Sequence, residues 1–108
     1  MTFTHDTRLA LVQIGEALSL ARKSRQMTIK SLAERIGVDR RTISSLEHGN
    51  PAVSFGVFVQ TLSVFNILEG IQEFLSPEND MQATLENIRT LRLKKKAIKK
   101  ITDEEVAF

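Results

Sequence analysis

The chain has 108 residues, of which 42% are hydrophobic and 26% charged, and its formal net charge at neutral pH is +2. This length suits one small domain with a short extension. No apolar run approaches the roughly 20 residues of a membrane span, and no signal-peptide pattern is present, so we expect a cytoplasmic protein. The absence of cysteine excludes disulfides, thiolate metal sites and cysteine nucleophiles.

The charged residues fall into three blocks. Residues 22–45 contain seven Lys or Arg against two acids, residues 46–88 contain six acids and no Lys or Arg, and residues 89–100 contain seven Lys or Arg and no acid. A basic block attracts a polyanion, whereas an acidic block repels one. The first block is therefore a candidate nucleic-acid surface, and the second suits a protein partner or a dimer mate.

A first helix is predicted over residues 6–25. Its apolar residues recur at the spacing of one helical face. They are Leu11, Ile14, Leu18 and Ala21. Gly15 lies inside this helix at a cost in helical propensity, which indicates a close approach of another element.

Two short helices are predicted next. Thr28 is expected to cap a helix over residues 29–36, and Gly37 to end it, because glycine adopts positive φ at little cost. Asp39 is then expected to cap a third helix over residues 40–47. The inner faces of the two helices are expected to consist of Leu32, Ala33, Ile36, Ile43 and Leu46.

The remaining pattern is also helical. Ser54 is expected to cap a fourth helix, and a fifth is predicted over residues 68–75, before Pro77. Their apolar faces are predicted to contain Phe58, Leu62 and Phe65 in the fourth and Ile71, Phe74 and Leu75 in the fifth. We interpret Phe55, Phe58, Phe65 and Phe74 as core residues, with one or two of them at a dimer interface. No stretch alternates like a strand, so the fold class is predicted to be all-α.

Two helices of about eight residues joined by a tight turn form a helix-turn-helix unit. Eight residues span about 12 Å, which matches the width of the DNA major groove. The outward positions of the third helix are Arg40, Arg41, Ser44 and Ser45. Arginine can donate two parallel hydrogen bonds to guanine, so Arg40 and Arg41 are candidate base readers, and Asp39 can orient one of them. The alternative is that the two arginines belong to an ordinary solvated face.

Three stretches resemble the Xre/Cro-like helix-turn-helix family: "IGEALSLAR", "MTIKSLAERIGVDRRTISSLEHG" and "VFVQTLSVFNIL". The resemblance implies a five-helix DNA-binding domain, which we place at residues 6–76, with the third helix in the major groove. Residues 77–108 would form a C-terminal extension, basic and then acidic, for which a helix is one interpretation.

The resemblance also assigns roles to individual residues. It places base contacts at Arg40, Arg41 and Ser45, nearby or phosphate contacts at Thr42 and Ser44, and Asp39 at the start of the reading helix. Thr28 and Lys30 would lie next to the DNA backbone. The position after Thr28 is often glutamine in this family, but here it is Ile29, which cannot donate a hydrogen bond. Arg22 and Glu47 match a pair that joins the first helix to the end of the third.

A narrower resemblance concerns residues 49–68, which are similar to HipB-type antitoxins. It implies a homodimer that represses its own operon, binds operator DNA and binds a HipA-like kinase toxin. Glu69 and Glu73 are the candidate partner surface. Two rival interpretations are a stand-alone Xre-type repressor and a protein-binding module that has lost DNA affinity, the latter favoured by Ile29.

Other functional classes find no support in the residues. His5 and His48 have no partner acid at ligand spacing, so no metal site is expected. There is no defensible Ser-His-Asp arrangement and no phosphate-binding loop, so we expect no catalytic residue, cofactor or small-molecule substrate. The basic run Arg89–Lys100 is interpreted either as a solvated helix or as an arm that contacts DNA phosphates.

Overall fold

The computed structural model describes residues 1–80, and the predictions for the basic tail lie outside them. The chain divides into two compact units, of which the first comprises Met1–Leu68. Residues 69–80 belong to the second unit and are described separately. Among the described residues, no helix is long and apolar enough to cross a membrane.

Every regular element of the described residues is a helix, and no strand is present among them, which confirms the all-α prediction. Its elements are α1 (His5–Ser24), α2 (Ile29–Ile36), α3 (Arg40–Glu47), α4 (Phe55–Val64), α5 (Leu68–Phe74) and a 3-10 turn (Pro77–Asn79). The helices α2 and α3 have the predicted bounds. The helix α1 begins and ends one residue earlier than predicted, and α5 ends at Phe74 rather than at residue 75.

Side-chain caps explain where the helices of the first unit begin. Thr28 Oγ1 accepts a hydrogen bond from the Ser31 backbone N–H at 3.0 Å, and Ser54 Oγ accepts one from Val57 at 3.1 Å. Each cap satisfies a backbone donor that has no partner inside its helix. These bonds are local in sequence, which is why the starts of α2 and α4 are readable from the residues alone.

The core lies where α2 and α3 pack together, with α1 against α3 and α4 against α2. Its buried apolar residues are Leu18, Leu32, Ala33, Ile43, Leu46, Leu62 and Phe65. Thr61 is also fully buried, and its Oγ1 donates to the carbonyl of Val57 at 2.8 Å. This bond removes the cost of burying a hydroxyl among apolar side chains.

Two glycines allow α1 to cross the end of α3 closely. A Cβ atom on Gly15 would lie 2.5 Å from the carbonyl oxygen of Glu47 and 2.9 Å from the nitrogen of Gly49. Gly49 itself has φ of +76°, and a Cβ there would lie 2.6 Å from the carbonyl oxygen of Leu11. The absence of both side chains therefore lets the backbones of α1 and the α3–α4 loop approach each other, as the position of Gly15 in the sequence indicated.

Several apolar residues predicted to face inward do not. Phe55 is 77% exposed, Phe74 is 75% exposed, and Ile14 is 47% exposed. The helix α5 contains no buried residue. Helical spacing identifies a face of a helix, but burial also requires an element opposite that face. Phe65 is buried as predicted, whereas Phe55 and Phe74 lie outside the core, and these two are left as candidates for the predicted dimer interface.

Candidate nucleic-acid interface

The turn between α2 and α3 is fixed by the backbone of Gly37. Its φ is +86°, and the N–H groups of Gly37 and Val38 both donate to the carbonyl of Ala33, at 2.8 Å and 3.0 Å. This pattern ends a helix with a left-handed residue. No atom lies within 4 Å of a Cβ built on Gly37, so the glycine is needed for its φ and not for space. The turn brings α3 directly after α2 with both inner faces in the core.

The start of α3 is held by Asp39. Its Oδ1 accepts the backbone N–H of Arg41 at 2.7 Å and also the Nε–H of the same arginine at 3.2 Å. The backbone bond and then the guanidinium bond hold the pKa of Asp39 below its ordinary value. The carboxylate is therefore charged, caps the helix and touches one of the two predicted base readers.

The exposed face of α3 divides into two edges. Arg41 and Ser45 are separated by four residues and lie on one edge, and Arg40 and Ser44 lie on the other. Both arginines are exposed, whereas the side chains near them are half-buried: Thr42, Ser44 and Ser45. Because Ile43 is fully buried on the opposite side, the helix cannot rotate to hide its arginines without losing its core contacts.

A depression of about 480 Å³ lies beside this helix and is open to solvent. Its polar lining residues are Arg41, Thr42, Ser45, Asn50 and Ser54. Asn50 Oδ1 accepts a hydrogen bond from the backbone N–H of Ala52 at 2.8 Å, which folds the loop at this edge. Asn50 was not among the predicted binding residues, and the turn signal of an asparagine before a proline identifies only its role in the loop.

The start of α2 contributes two exposed residues, Thr28 and Lys30. The hydroxyl of Thr28 is already engaged in the helix cap. Between them, Ile29 is partly buried and packs against the core. The position that is often glutamine in similar proteins is therefore used for packing in this chain.

Arg22 and Glu47 form a bidentate ion pair between α1 and the end of α3. Arg22 Nε donates to Glu47 Oε2 at 2.7 Å, and Nη2 donates to Oε1 at 3.0 Å. The third guanidinium nitrogen, Nη1, donates to the carbonyl of Met27 at 2.8 Å. The hydrogen bond and charge of Glu47 raise the pKa of Arg22 further, so it stays charged although it is only 7% exposed. All three guanidinium nitrogens of Arg22 therefore donate to partners inside the domain.

A second basic residue also has structural partners. Arg25 donates to the carbonyl of Phe65 at 2.8 Å and to that of Ala21 at 2.8 Å, and its guanidinium lies 5.0 Å from the centre of the Phe65 ring. This contact spans 40 residues of sequence and was not predicted. The other exposed cations of the first basic block are Lys23, Lys30, Arg35, Arg40 and Arg41, of which Arg41 is paired with Asp39.

The remaining predicted residues lie on α5. Glu69 and Glu73 are both exposed and stand four residues apart, so they share one face of this helix. Within residues 1–80, no three His, Asp or Glu side chains come together as a possible metal site.

Comparison with known proteins adds one finding. Residues 18–68 match the helix-turn-helix family model, a segment that runs from the second half of α1 to the first residue of α5. No curated protein and no solved structure matches the chain. The matched segment contains the turn at Gly37, the exposed face of α3 and the pair formed by Arg22 and Glu47. Residues 18–68 therefore match a helix-turn-helix domain of the Xre/Cro-like type, which supports a DNA-binding transcriptional regulator.

Proposed function

We propose that this protein is a cytoplasmic repressor that binds a specific operator sequence by placing α3 in the major groove. The observation that carries the proposal is the pair of exposed arginines, Arg40 and Arg41, on a helix whose opposite face is buried. An arginine in the major groove can donate two hydrogen bonds to guanine O6 and N7. Ser45 would add a base contact on the edge that it shares with Arg41.

Other residues would hold the duplex without reading its sequence. Thr42 and Ser44 lie beside the two arginines and would contact phosphates. Thr28 and Lys30 are exposed at the start of α2, where a phosphate could accept from the ammonium group of Lys30. Such contacts fix the register of the protein on DNA but carry no sequence information.

The packing of Ile29 bears on the rival interpretation of a module that has lost DNA affinity. Ile29 contributes to the core, so its presence has a structural reason that is independent of DNA. The exposure of the arginines of α3 does not depend on whether position 29 is isoleucine or glutamine. For these reasons we favour DNA binding, with Thr28 and Lys30 as the contacts from α2.

We further propose that the protein acts as a homodimer and serves as the antitoxin of a HipA-like kinase. The support is the similarity of residues 49–68 to HipB-type antitoxins, together with the six acids and the lack of any Lys or Arg over residues 46–88. A surface that carries acids and no cations repels DNA phosphates. The exposed acids Glu69 and Glu73 would contact the kinase. A stand-alone repressor would have no kinase gene beside its own.

The test of DNA binding is a mobility shift of the promoter of its own gene, repeated at several salt concentrations. The proposal predicts a shift that survives an excess of random duplex and weakens as salt rises. Binding that is equal for promoter and random duplex, or no binding at low salt, would contradict it. Co-purification with a kinase encoded by the gene beside its own distinguishes an antitoxin from a stand-alone repressor.

A further inference from the structure

The two arginines at the start of α3 differ in their surroundings. Arg41 shares a hydrogen bond and an ion pair with Asp39, since its Nε lies 3.2 Å from Asp39 Oδ1. Among residues 1–80, the side chain of Arg40 makes no hydrogen bond and acts on the Asp39 carboxylate only through its charge, less than Arg41 does. Adjacent residues of the same type are thus held differently, and this difference bears on what each can do at a DNA surface.

The acceptor that holds Arg41 is itself fixed. Asp39 Oδ1 accepts the backbone N–H of Arg41 at 2.7 Å, so the carboxylate is anchored to the first turn of α3. The same oxygen then accepts from Nε. This double use ties the guanidinium of Arg41 to the helix backbone and restricts the directions in which it can point.

The hydrogen bonds of Arg41 to Asp39 use its backbone nitrogen and Nε, and they leave Nη1 and Nη2 available. The side chain of Arg41 is 93% exposed. Nη1 and Nη2 can therefore donate side by side to an external pair of acceptors. Guanine presents such a pair, O6 and N7, in the major groove. Arg41 also lines the depression beside α3 together with Thr42 and Ser45.

We infer that Asp39 is a positioning residue that holds Arg41 for the recognition of one guanine, a restraint that Arg40 lacks. The inference rests on the proposed DNA binding and adds a positioning role within it. A side chain that is already oriented loses less conformational entropy on binding than a free one. The pair is exposed to water in the unbound protein, and exclusion of water by the duplex would strengthen it.

Because Asp39 is negatively charged, its removal should change affinity for random DNA and discrimination at one base pair in opposite directions. A carboxylate near the duplex repels phosphates, so it lowers affinity for DNA of any sequence. If it also positions Arg41, its removal should raise affinity for random DNA and lower discrimination at one base pair. A residue that only capped the helix would not produce these opposite changes.

The experiment uses the full chain and a randomised pool of double-stranded DNA, from which the wild-type protein selects a preferred duplex. Dissociation constants are then measured for that duplex, for versions with each G·C pair replaced in turn, and for a random duplex. Asp39→Ser keeps a capping hydroxyl but is too short to reach Nε of Arg41. We expect discrimination at one G·C pair to fall about three- to tenfold. Affinity for the random duplex should rise.

Repeating Asp39→Ser in proteins that already carry Arg41→Ala or Arg40→Ala shows whether Asp39 acts through Arg41. With Arg41→Ala already present, Asp39→Ser should cause no further loss of discrimination, whereas with Arg40→Ala the loss should persist. Asp39→Asn keeps both the cap and an acceptor without the charge. It should raise affinity for the random duplex as Asp39→Ser does, but reduce discrimination less.

Two results would overturn the inference, and they differ from failure of the proposed function. The first is an Asp39→Ser protein that discriminates as well as the wild type. The second is an equal loss of discrimination in the Arg40→Ala and Arg41→Ala backgrounds, which would mean that Asp39 acts only through the helix. A wild-type protein that selects no preferred duplex would instead refute sequence-specific binding itself, and the inference with it.

Discussion

The guanidinium of Arg22 holds both carboxylate oxygens of Glu47, at 2.7 Å and 3.0 Å. This contact joins α1 to the last residue of α3. The third nitrogen of Arg22 donates to the carbonyl of Met27 and so attaches the loop before α2 as well. The helix α3 is therefore fixed at its last residue by an ion pair and at its start by the Asp39 cap. The ion pair lies at the opposite end of the helix from Arg40 and Arg41, whereas the cap contacts Arg41 itself.

Arg22→Ala should destabilise the domain by about 3 kcal/mol, because it leaves the carboxylate of Glu47 buried without its partner. The free energy of unfolding, measured with urea, checks this. DNA affinity should fall as well, since the end of α3 loses its attachment to α1.

The matched control removes both charges. The double variant Arg22→Met, Glu47→Leu leaves no unpaired charge in the interior, so it should be more stable than Arg22→Ala alone. If Arg22→Ala unfolds at the same urea concentration as the wild type, the pair contributes nothing and the account of the scaffold is wrong.

Gly15→Ala should lower the free energy of unfolding by about 1–3 kcal/mol, since its new methyl group would lie 2.5 Å from the backbone oxygen of Glu47. The control is Gly56→Ala in α4, where the nearest side-chain atom is Ser54 Oγ at 3.9 Å. That change should stabilise the protein by about 0.5–1 kcal/mol, because alanine is the better helix former. Equal effects of the two changes would show that α1 and α3 are not in close contact.

The capping carboxylate of Asp39 predicts a pH dependence. Its pKa is lowered in the folded protein, mainly by the backbone N–H of Arg41 and next by its guanidinium. The stabilisation is therefore complete above the pKa of Asp39 in the unfolded chain, and it is lost as the pH falls through the lower pKa of the folded state.

The measurement is an NMR titration of the Asp39 carboxyl carbon. Arg41→Ala should raise this pKa only partly, because the backbone bond remains. A wild-type pKa at the ordinary value for aspartate would contradict the cap.

The bounds of α2 and α3 could be predicted because the signals are local. Thr28, Gly37 and Asp39 each act within a few residues of their own position, through a cap or a positive φ. The inner faces of these two helices were likewise predictable from helical spacing, and Leu32 and Ile43 are buried as expected.

Long-range packing could not be predicted in the same way. Arg25 belongs to the basic block in sequence, yet it contacts the carbonyl and ring of Phe65, 40 residues away. Phe55 follows the apolar pattern of α4 but is 77% exposed because it lies at the first position of that helix, on the rim of the fold. The sequence specifies which residues share a face, while the partner of that face depends on the whole fold.

The proposed kinase contact predicts the effect of charge reversal on α5. The double variant Glu69→Lys, Glu73→Lys should reduce co-purification with the neighbouring kinase and leave operator binding intact. The same charge change at Asp6 and Glu16, two exposed acids of α1, serves as the control and should preserve the complex. Loss of operator binding with the kinase complex preserved would place the two surfaces the wrong way round.

Operator discrimination by the double variant Arg40→Ala, Arg41→Ala tests the central claim most directly. Dissociation constants are measured for the promoter duplex and for a random duplex at several salt concentrations. The account predicts that the variant loses about 1–3 kcal/mol of discrimination between the two duplexes. The control variant Lys23→Ala, Arg35→Ala removes two exposed cations outside α3 and should weaken both duplexes alike, if it weakens either. A double arginine variant that binds both duplexes more weakly but keeps the wild-type ratio would show that α3 does not read the sequence.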